Sequence, residues 1–378
     1  MQSPLSAGAW LCPSTSSTSQ TKFCELRLAS SCRRGKRLDS TPLRPNADSG
    51  PLPLTVEFDA TKSTDADGDA LTYAWDFNGD GTTDATTAKA SYTYNTAGSY
   101  QPRLTVTDSG GKSSVAHLSV VAGNTRPVVT IETPVDGGFS EFGADIPFKV
   151  EVVDPEDGTV DCTKVKVTYQ LGHNQHGHPM AEATPDANCE GVLVPGRDAE
   201  HGPGAYVFHI VRADYTDGGG PGGAPALTGA KDIVLHPTQY SAGTYPRGQG
   251  VGLYTGQLFV PDSGNWFMFP RINAAGIDRL SMEFATRMAG ADFTVHADSP
   301  DGPVVAKFEN LPHTGSTSLS NRVYKTFTAA VNDPGGVHDL YFVGTWPAGV
   351  QPELFVRTFT FGREGEGTRR PGLVRAIR

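Results

Sequence analysis

The sequence has no apolar run long enough to cross a membrane and no segment with the periodicity of an amphipathic helix. A membrane-spanning helix needs about 18 or more consecutive apolar residues, and none occurs in the 378 residues of the chain. The N-terminus also lacks the apolar core of a signal peptide. Apolar residues do not recur at i, i+3, i+4 and i+7 over any long stretch, so we expect almost no α-helix.

The short motifs that mark common active sites are missing as well. The sequence contains neither a G-x-S-x-G nucleophile elbow nor an H-E-x-x-H metal motif. The stretch GGKSS at 110–114 ends like a phosphate-binding loop, but Val106 stands where that loop requires its first glycine. Nothing in the sequence places two carboxylates at the distance from each other that glycosidase catalysis requires. We therefore expect no enzyme activity from this chain.

Basic residues are outnumbered by acidic ones, and their clusters, Arg33, Arg34, Lys36 and Arg37 and Arg369 and Arg370, lie near the ends of the sequence. Lys and Arg number 31 against 41 Asp and Glu, which gives a formal net charge of −10. Because nucleic-acid binding depends on the neutralisation of phosphates, this balance predicts no nucleic-acid partner. We expect a monomer.

Glycine and proline are abundant, with 44 and 28 residues. They separate short runs rich in Val, Phe, Tyr and Thr, as in stacked β-domains. In LTYAWDF at 71–77, large apolar residues alternate with smaller or polar ones, which predicts a strand with one buried face. A second alternating pair of runs around DSGG at 108–111 predicts a hairpin. The fold class predicted is all-β.

Residues 46–123 resemble a PKD (polycystic-kidney-disease) domain, which is an immunoglobulin-like β-sandwich. WDFNGDG at 75–81 and the approach of Gly98-Ser99-Tyr100 to LTVTD carry the resemblance. It implies a non-catalytic spacer or interaction module of an extracellular protein. Trp75 is interpreted as a core residue.

An acidic loop within this segment has part of a calcium-binding pattern. Asp76, Asn78, Asp80 and Asp84 stand at positions 1, 3, 5 and 9 of D-x-N-x-D-G, a spacing that can converge oxygens on a hard cation. The Glu of position 12 is replaced by Thr87. Further oxygens are available from the preceding loop, on Asp65, Asp67 and Asp69. Calcium is the one cofactor considered, and a tight turn built from Asp is the alternative.

Residues 124–236 are predicted to form a second immunoglobulin-like sandwich, since apolar residues alternate over 146–152 and 165–171. Cys162 and Cys189 flank one strand-loop unit there. A disulfide between them would suit an oxidising compartment, and two buried free thiols are the alternative.

Three histidines lie close together in GHNQHGHP: His173, His176 and His178. On an extended strand the last two share a face, as two ligands of a zinc or copper site often do. A hydrogen-bonded turn between strands would have the same composition. Metal binding and a structural turn both stay open.

Residues 237–363 resemble family 6 carbohydrate-binding modules, which are β-jelly-rolls. The segments that carry the resemblance are SGNWFMFPRI, AGIDRLSMEFATRMAGADFTVHADSPDGPVVA, PGGVHDLYFVG and ELFVRTFTF. The resemblance implies a module that stacks aromatic rings on sugar rings, with a polysaccharide or cell-surface glycan as its partner. The family's main binding positions correspond to Val260, Asn321 and Phe355, and a calcium-site Glu corresponds to Gln239. All four depart from the family pattern.

Other residues near these positions are candidates for sugar binding. Trp346 lies beside Pro347 and Gly349 in a loop and is the best candidate platform, followed by Tyr254 and Phe259. With Asn321 they form the candidate carbohydrate-binding set. Trp266 is interpreted as a core residue.

The predicted organisation is therefore three β-domains in tandem between two flexible ends. Residues 1–45 are expected to be disordered or artefactual and 364–378 to be a flexible tail. The order of domains resembles the C-terminal tail of actinobacterial secreted sugar dehydrogenases and trehalose-utilisation-type proteins. We expect a secreted, non-catalytic carbohydrate-binding protein; the alternatives are an adhesive sandwich array and a metal-dependent enzyme using the histidines.

Overall fold

The computed structural model describes residues 38–39, 44–45, 47–141, 143–173, 176–195 and 207–363. Within these ranges there are 29 β-strands, three 3-10 turns (Cys162–Lys164, Pro221–Gly223 and Ala242–Thr244) and no α-helix. The predicted all-β class is confirmed. No helix in these ranges is long and apolar enough to span a bilayer. The predicted disordered segment 1–45, apart from four residues, and the predicted tail 364–378 lie outside the described residues.

The chain divides into two compact units. Unit 1 comprises residues 1–128, 152–160 and 215–229, and unit 2 comprises residues 129–151, 161–214 and 230–378. Most of the middle sandwich lies in unit 2, together with the jelly-roll.

Unit 1 contains the first sandwich, which is made of short strands. They are β1 (Leu38–Asp39), β2 (Arg44–Pro45), β3 (Ser49–Gly50), β4 (Leu54–Asp59), β5 (Thr64–Asp65), β6 (Thr72–Asp76), β7 (Lys89–Tyr94), β8 (Gly98–Tyr100), β9 (Arg103–Thr107), β10 (Ser113–His117) and β11 (Val120–Ala122). The sheets have the orders β2-β4-β7, β10-β9-β6, β3-β11-β8 and β1-β5.

Trp75 lies at the centre of this sandwich. Its side chain is completely buried, and its ring centroid is 5.4 Å from that of Phe58 and 5.5 Å from that of Phe77. The indole Nε1 donates to the carbonyl of Thr87 at 2.9 Å, so the one polar atom of the ring has a partner. Trp75 is therefore a core residue and is not available to stack on a ligand.

The middle sandwich consists of seven strands. They are β12 (Val128–Thr133), β13 (Ile146–Val153), β14 (Lys166–His173), β15 (His176–Ala183), β16 (Glu190–Leu193), β17 (Val207–Thr216) and β18 (Thr228–Leu235). The two sheets have the orders β12-β13-β16 and β15-β14-β17-β18. A disulfide joins Cys162 to Cys189, with 5.0 Å between their Cα atoms.

The jelly-roll follows with eleven strands. They are β19 (Gln239–Ser241), β20 (Arg247–Gln249), β21 (Gly252–Tyr254), β22 (Gln257–Val260), β23 (Trp266–Ile272), β24 (Arg279–Ala285), β25 (Ala291–Ala297), β26 (Val304–Leu311), β27 (Lys325–Ala330), β28 (His338–Thr345) and β29 (Leu354–Gly362). One sheet has the order β21-β22-β29-β24-β27, with β19 also paired to β29, and the other has the order β20-β23-β28-β25-β26.

Aromatic side chains fill the space between the two jelly-roll sheets. Phe267 and Phe342 stack at 4.8 Å, and Phe342 and Phe359 lie 4.7 Å apart. Trp266 belongs to a separate, smaller apolar cluster, where its ring meets that of Tyr341 edge-on at 5.0 Å. Trp266 is 9% exposed, which leaves little surface for a ligand.

Within unit 2 the loop after β12 packs on the jelly-roll. Asp136 forms an ion pair with Arg271 at 2.7 Å, and the ring of Phe139 lies 4.7 Å from that of Phe361. His236 is 2% exposed, and its Nε2 lies 2.9 Å from the Arg271 carbonyl oxygen. These contacts join the end of the middle sandwich to the jelly-roll through a shared buried surface.

Candidate functional site

An aromatic cluster lies on the outer face of the jelly-roll sheet that contains β21, β22 and β29. Phe259 and Phe355 stand opposite each other in register, and their rings stack at 4.7 Å. Tyr254 meets Phe355 edge-on at 6.2 Å. Side chains alternate between faces along a strand, so the neighbours Leu258 and Val260 point inward and are completely buried. We call Tyr254, Phe259 and Phe355 the outer aromatic cluster.

Arg322 lies over this cluster. Its guanidinium carbon is 4.5 Å from the ring centroid of Phe355 and 5.6 Å from that of Tyr254, which is cation–π geometry. Its Nη1 donates to the Tyr254 carbonyl at 3.2 Å, and its Nη2 donates to the hydroxyl of Thr255. Among the described residues no carboxylate forms an ion pair with Arg322. The cluster therefore presents an oriented positive charge without a counter-charge.

A second arginine, Arg357 on β29, forms an ion pair with the carboxylate of Glu283. Arg357 donates from Nε to Glu283 Oε2 at 2.8 Å and from Nη2 to the other carboxylate oxygen, while its guanidinium carbon lies 4.6 Å from the Tyr324 ring centroid. The hydrogen bond from Arg357 lowers the pKa of Glu283. The two arginines thus differ in that only Arg357 has a carboxylate partner in the described part of the chain.

The predicted sugar-binding residues do not form one site in the structure. Tyr254, 37% exposed, and the half-buried Phe259 both belong to the outer aromatic cluster. Trp346 is half-buried and packs against the jelly-roll core, and a Cβ added at Gly344 would lie 3.2 Å from both the Trp346 ring and Val260. Since Val260 faces inward, Trp346 lies on the opposite side of the sheet from Phe259.

Asn321 closes a turn within its own loop. Its Nδ2 donates to Thr317 Oγ1 at 2.8 Å, and its backbone N–H donates to Ser318 Oγ at 3.0 Å. The side chain itself is exposed. Its neighbour Arg322 reaches the aromatic cluster, and sequence reasoning did not select it because nothing local indicates that this loop returns to β21. The sequence marks Phe355 only as a departure from the family pattern.

The acidic loop 76–84 is organised by hydrogen bonds to its own backbone. The two carboxylate oxygens of Asp76 accept from the N–H groups of Gly79 and Gly81, at 2.7 and 3.0 Å. Asp80 Oδ1 accepts from Thr82 N at 2.7 Å, and Asp84 Oδ2 accepts from Phe77 N at 2.7 Å. Asn78 Oδ1 accepts from the backbone N–H of Asp80 at 3.0 Å. These bonds account for the acidic residues as turn formers, and calcium binding by this loop stays a prediction.

The preceding loop gathers its carboxylates more closely. Asp65, Asp67 and Asp69 have oxygens that all lie within 4.8 Å of one another. Asp65 also accepts from the backbone N–H groups of Asp67 and Asp69, which lowers its pKa. All three side chains are at the surface, where acidic groups commonly lie together without an ion.

The three histidines lie at the end of the β14–β15 hairpin. In its register His173 stands opposite His176, and Leu171 stands opposite His178. The side chain of His178 is exposed. The side chains of His173 and His176 lie outside the described residues, so the metal hypothesis for this group stays a prediction.

Two segments of the chain match known families. Residues 46–122 match the family model of the PKD domain, and residues 239–361 match that of the carbohydrate binding module of family 6. The predicted PKD domain and family 6 module are therefore confirmed. Neither of these two modules is a catalytic domain.

Bacterial collagenases contain similar segments. The chain is 40% identical over 76 residues to collagenase ColA of Clostridium perfringens, which covers 20% of the chain and 7% of that protein. It is 26% identical over 182 residues to collagenase ColA of Bacillus cereus, which covers 45% of the chain and 18% of that protein. The matched part is less than a fifth of the length of either curated relative.

Among solved structures, the jelly-roll is similar to a family 6 carbohydrate-binding module from Clostridium cellulolyticum in complex with xylose. The identity is 18% with a TM-score of 0.30, over 33% of this chain and 96% of that one. The identity and the TM-score are too low for that ligand to be transferred to this chain.

Proposed function

We propose that the chain is a non-catalytic, extracellular accessory protein that binds a polysaccharide through the outer aromatic cluster of its jelly-roll. The observation that carries the proposal is the exposed ring of Tyr254 beside the half-buried ring of Phe259. Phe355 is 1% exposed and packs beneath these rings and Arg322, so it supports the surface without contacting a ligand itself. A sugar ring offers an apolar face to such an aromatic surface, and the nearby N–H groups are available to its hydroxyls. The family 6 match of residues 239–361 supports the same ligand class.

The charge of Arg322 favours acidic glycans, such as those with uronic acid carboxylates. A guanidinium donates through several N–H groups in a fixed plane that matches a carboxylate. Nη1 and Nη2 of Arg322 each make one bond to the protein, so other N–H groups of the same plane remain for a ligand. The chain as a whole has a net charge of −10 and therefore repels anions at long range. The positive charge of Arg322 would act only on an acidic group bound beside it, and so would favour acidic over neutral glycans at this site.

The test is binding of the full chain to polygalacturonate and to a neutral xylan by affinity electrophoresis and calorimetry. Tyr254→Ala is expected to weaken binding to both glycans by about tenfold, because one exposed stacking surface is lost. Arg322→Gln is expected to weaken binding of polygalacturonate selectively. The control is Leu253→Ala, since Leu253 is 57% exposed on the same strand and takes no part in the cluster.

Trp346 provides an internal comparison. If retention of glycans is lost in Trp346→Ala and unchanged in Tyr254→Ala, the binding surface includes Trp346, on the opposite side of the sheet from Phe259. The outer aromatic cluster is then the wrong site. If the wild-type chain binds no glycan at all, an adhesive sandwich array is the better function. Stoichiometric zinc or copper in the purified chain would instead favour the metal-dependent enzyme.

We also propose that these modules serve a larger secreted protein, either carbohydrate-active or collagenase-like. The matches to small parts of two collagenases support such an architecture. The finer proposal is a tail of the sugar dehydrogenase or trehalose-utilisation type. Immunoblotting of culture medium with an antibody to the jelly-roll tests both: a secreted species well above 40.0 kDa is expected, and a species of 40.0 kDa confined to the cells would contradict them.

We also propose that the PKD domain binds calcium through Asp76, Asn78, Asp80 and Asp84. The spacing of these four residues supports it. Asp80→Asn is expected to weaken binding of calcium to this loop in a calorimetric titration. An unchanged titration would indicate that the acidic residues serve the turn alone.

A further inference from the structure

Five oxygen-bearing side chains of unit 1 are linked through hydrogen bonds and chain continuity where the chain leaves the PKD domain. They follow β11, β13 and β17, and we call them the linker cluster: Asn124, Asp154, Glu156, Asp157 and Asp217. Asn124 Nδ2 donates to Asp217 Oδ2 at 3.1 Å, and the hydroxyl of Thr125 donates to Glu156 Oε1 at 2.7 Å. The backbone N–H groups of Glu156 and Asp157 both donate to Asp154 Oδ1 at 2.9 Å. Hydrogen bonds and chain continuity therefore connect all five.

Three of these side chains have a buried oxygen that no donor reaches. The atoms are Asn124 Oδ1, Asp154 Oδ2 and Glu156 Oε2. Asn124 is 0% exposed and Asp154 is 3% exposed, so the bulk solvent does not reach these oxygens either. A buried acceptor without a donor is unfavourable, and more so when it is charged. Three such oxygens in one connected group indicate a missing electropositive partner.

The hydrogen bonds around these side chains fix the direction of the three oxygens. Asn124 Nδ2 donates both to Asp217 Oδ2 and to the Pro225 carbonyl, at 3.1 and 3.0 Å. A flipped amide would set its oxygen against those two acceptors, so Oδ1 must point away from them. In Asp154 and Glu156 the other carboxylate oxygen is already held by donors, which turns the second oxygen away from them.

The negative charge of the cluster is not balanced by protein. In the described ranges of the chain, none of its four carboxylates forms an ion pair with Lys, Arg or His. The basic residue of the linker, Arg126, instead bonds Asp48 at 3.3 Å and the Thr228 carbonyl at 2.8 Å.

We propose that the linker cluster binds a calcium ion through Asn124 Oδ1, Asp154 Oδ2 and Glu156 Oε2. The donors are carboxylate and amide oxygens, which a hard cation prefers, and the set contains no nitrogen or sulfur ligand that would favour zinc or copper. Calcium accepts six to eight oxygens in flexible geometry, so water and neighbouring oxygens complete its shell. The ion would tie the first residue after the PKD domain to the turn that follows β13.

The experiment is thermal unfolding and calorimetric titration of the full chain after removal of metal with a chelator. Calcium at about a hundredfold excess over its Kd is expected to raise the unfolding temperature of unit 1 by roughly 5–10 °C. The double variant Asp154→Asn/Glu156→Gln is expected to lose this rise. Without calcium the same variant is expected to unfold at a higher temperature than wild type, because two carboxylates that lack an ion-pair partner, one buried and one half-buried, become neutral.

The matched control is Glu57→Gln/Asp59→Asn, which removes two carboxylates of β4 that belong to neither proposed calcium site and is expected to keep the rise. If the double variant fails to fold, Glu156→Gln alone keeps an acceptor for Thr125 and is expected to weaken calcium binding at least tenfold. The proposal is overturned if calcium leaves the unfolding of the wild type unchanged, or if the rise persists in the linker variants. A crystal structure grown with calcium that shows only a water beside the three oxygens would overturn it as well.

Discussion

Two buried histidines in unit 2 are expected to make its stability depend on pH between neutrality and pH 5. His209 is 1% exposed, and its Nδ1 lies 2.7 Å from the Tyr169 hydroxyl. His236 is 2% exposed. Burial lowers the pKa of His209 to about 4, with a smaller contribution from the charge of His236. Burial also lowers the pKa of His236 to about 4.

The sign follows from the proton uptake of each state. Above about pH 6.5 both histidines are neutral in the folded and the unfolded chain, and they contribute no pH dependence. Below that pH the unfolded chain binds protons that the folded chain does not, so the free energy of unfolding falls by about 1.4 kcal/mol per pH unit for each histidine. From pH 6.5 to pH 5 the loss is about 2 kcal/mol each and about 4 kcal/mol for the pair.

Two other described groups with shifted pKa values, Glu283 and His338, act below this window or in the opposite direction. The lowered pKa of Glu283 stabilises the fold above the unfolded value, and that contribution is lost only below about pH 4.5. His338 acts against the buried pair: although its partial burial disfavours the charge, its bonds to Asp298 and Gly335 raise its pKa. Its contribution is small because solvent screens the exposed Asp298.

Urea unfolding followed by tryptophan fluorescence at pH 7 and pH 5 measures the effect. His236→Gln keeps an N–H donor for the Arg271 carbonyl and removes one titration, so the loss between the two pH values should halve. His209→Gln should act in the same way, while His117→Gln on an exposed strand should leave the loss unchanged. The reasoning is refuted if the free energy of unfolding is the same at both pH values, or if the loss is undiminished in His209→Gln/His236→Gln.

Three further outcomes are expected. Raising NaCl from about 0.05 M to about 0.5 M should weaken binding of polygalacturonate by wild type and have little effect on what binding remains in Arg322→Gln, as measured by calorimetry. Removal of the disulfide by Cys162→Ala/Cys189→Ala should lower the free energy of unfolding by roughly 3.5 kcal/mol, since the bond closes a separation of 27 residues; a loss below about 1 kcal/mol would contradict this. Trp75→Phe should destabilise unit 1 by about 1–3 kcal/mol in urea unfolding, because it removes volume from a buried site and leaves the Thr87 carbonyl without its donor.

The all-β class could be predicted because strand alternation is a local property of the sequence, whereas the PKD domain and the family 6 module were identified by their resemblance to known families. The alternation at 71–77 predicts that Trp75 points inward, and the ring is completely buried. The residues of the outer aromatic cluster could only partly be predicted. Phe259 and Phe355 are about 100 residues apart, and only the pairing of β22 with β29 brings them into register.

Arg322 and Asn124 show what the sequence could not indicate. Arg322 reaches Phe355 because its loop returns to β21, and no local pattern encodes that return. Asn124 lies in a stretch whose composition is typical of an exposed linker, yet it is completely buried and donates to Asp217 and to the Pro225 carbonyl, both of which follow β17. In the loop 76–84 one spacing suits both a metal and a chain of Asx turns, so the pattern alone could not distinguish the two.

The packing of the loop after β12 on the jelly-roll affects how the protein can be dissected. A fragment cut at residue 237 would contain Phe361 without Phe139 and Arg271 without Asp136. It would then expose an apolar patch and an unpaired cation that the intact chain conceals. Glycan affinities measured on such a fragment would include nonspecific binding to the surface that the truncation exposes. A fragment that begins before residue 129 avoids this, because it keeps Asp136 and Phe139.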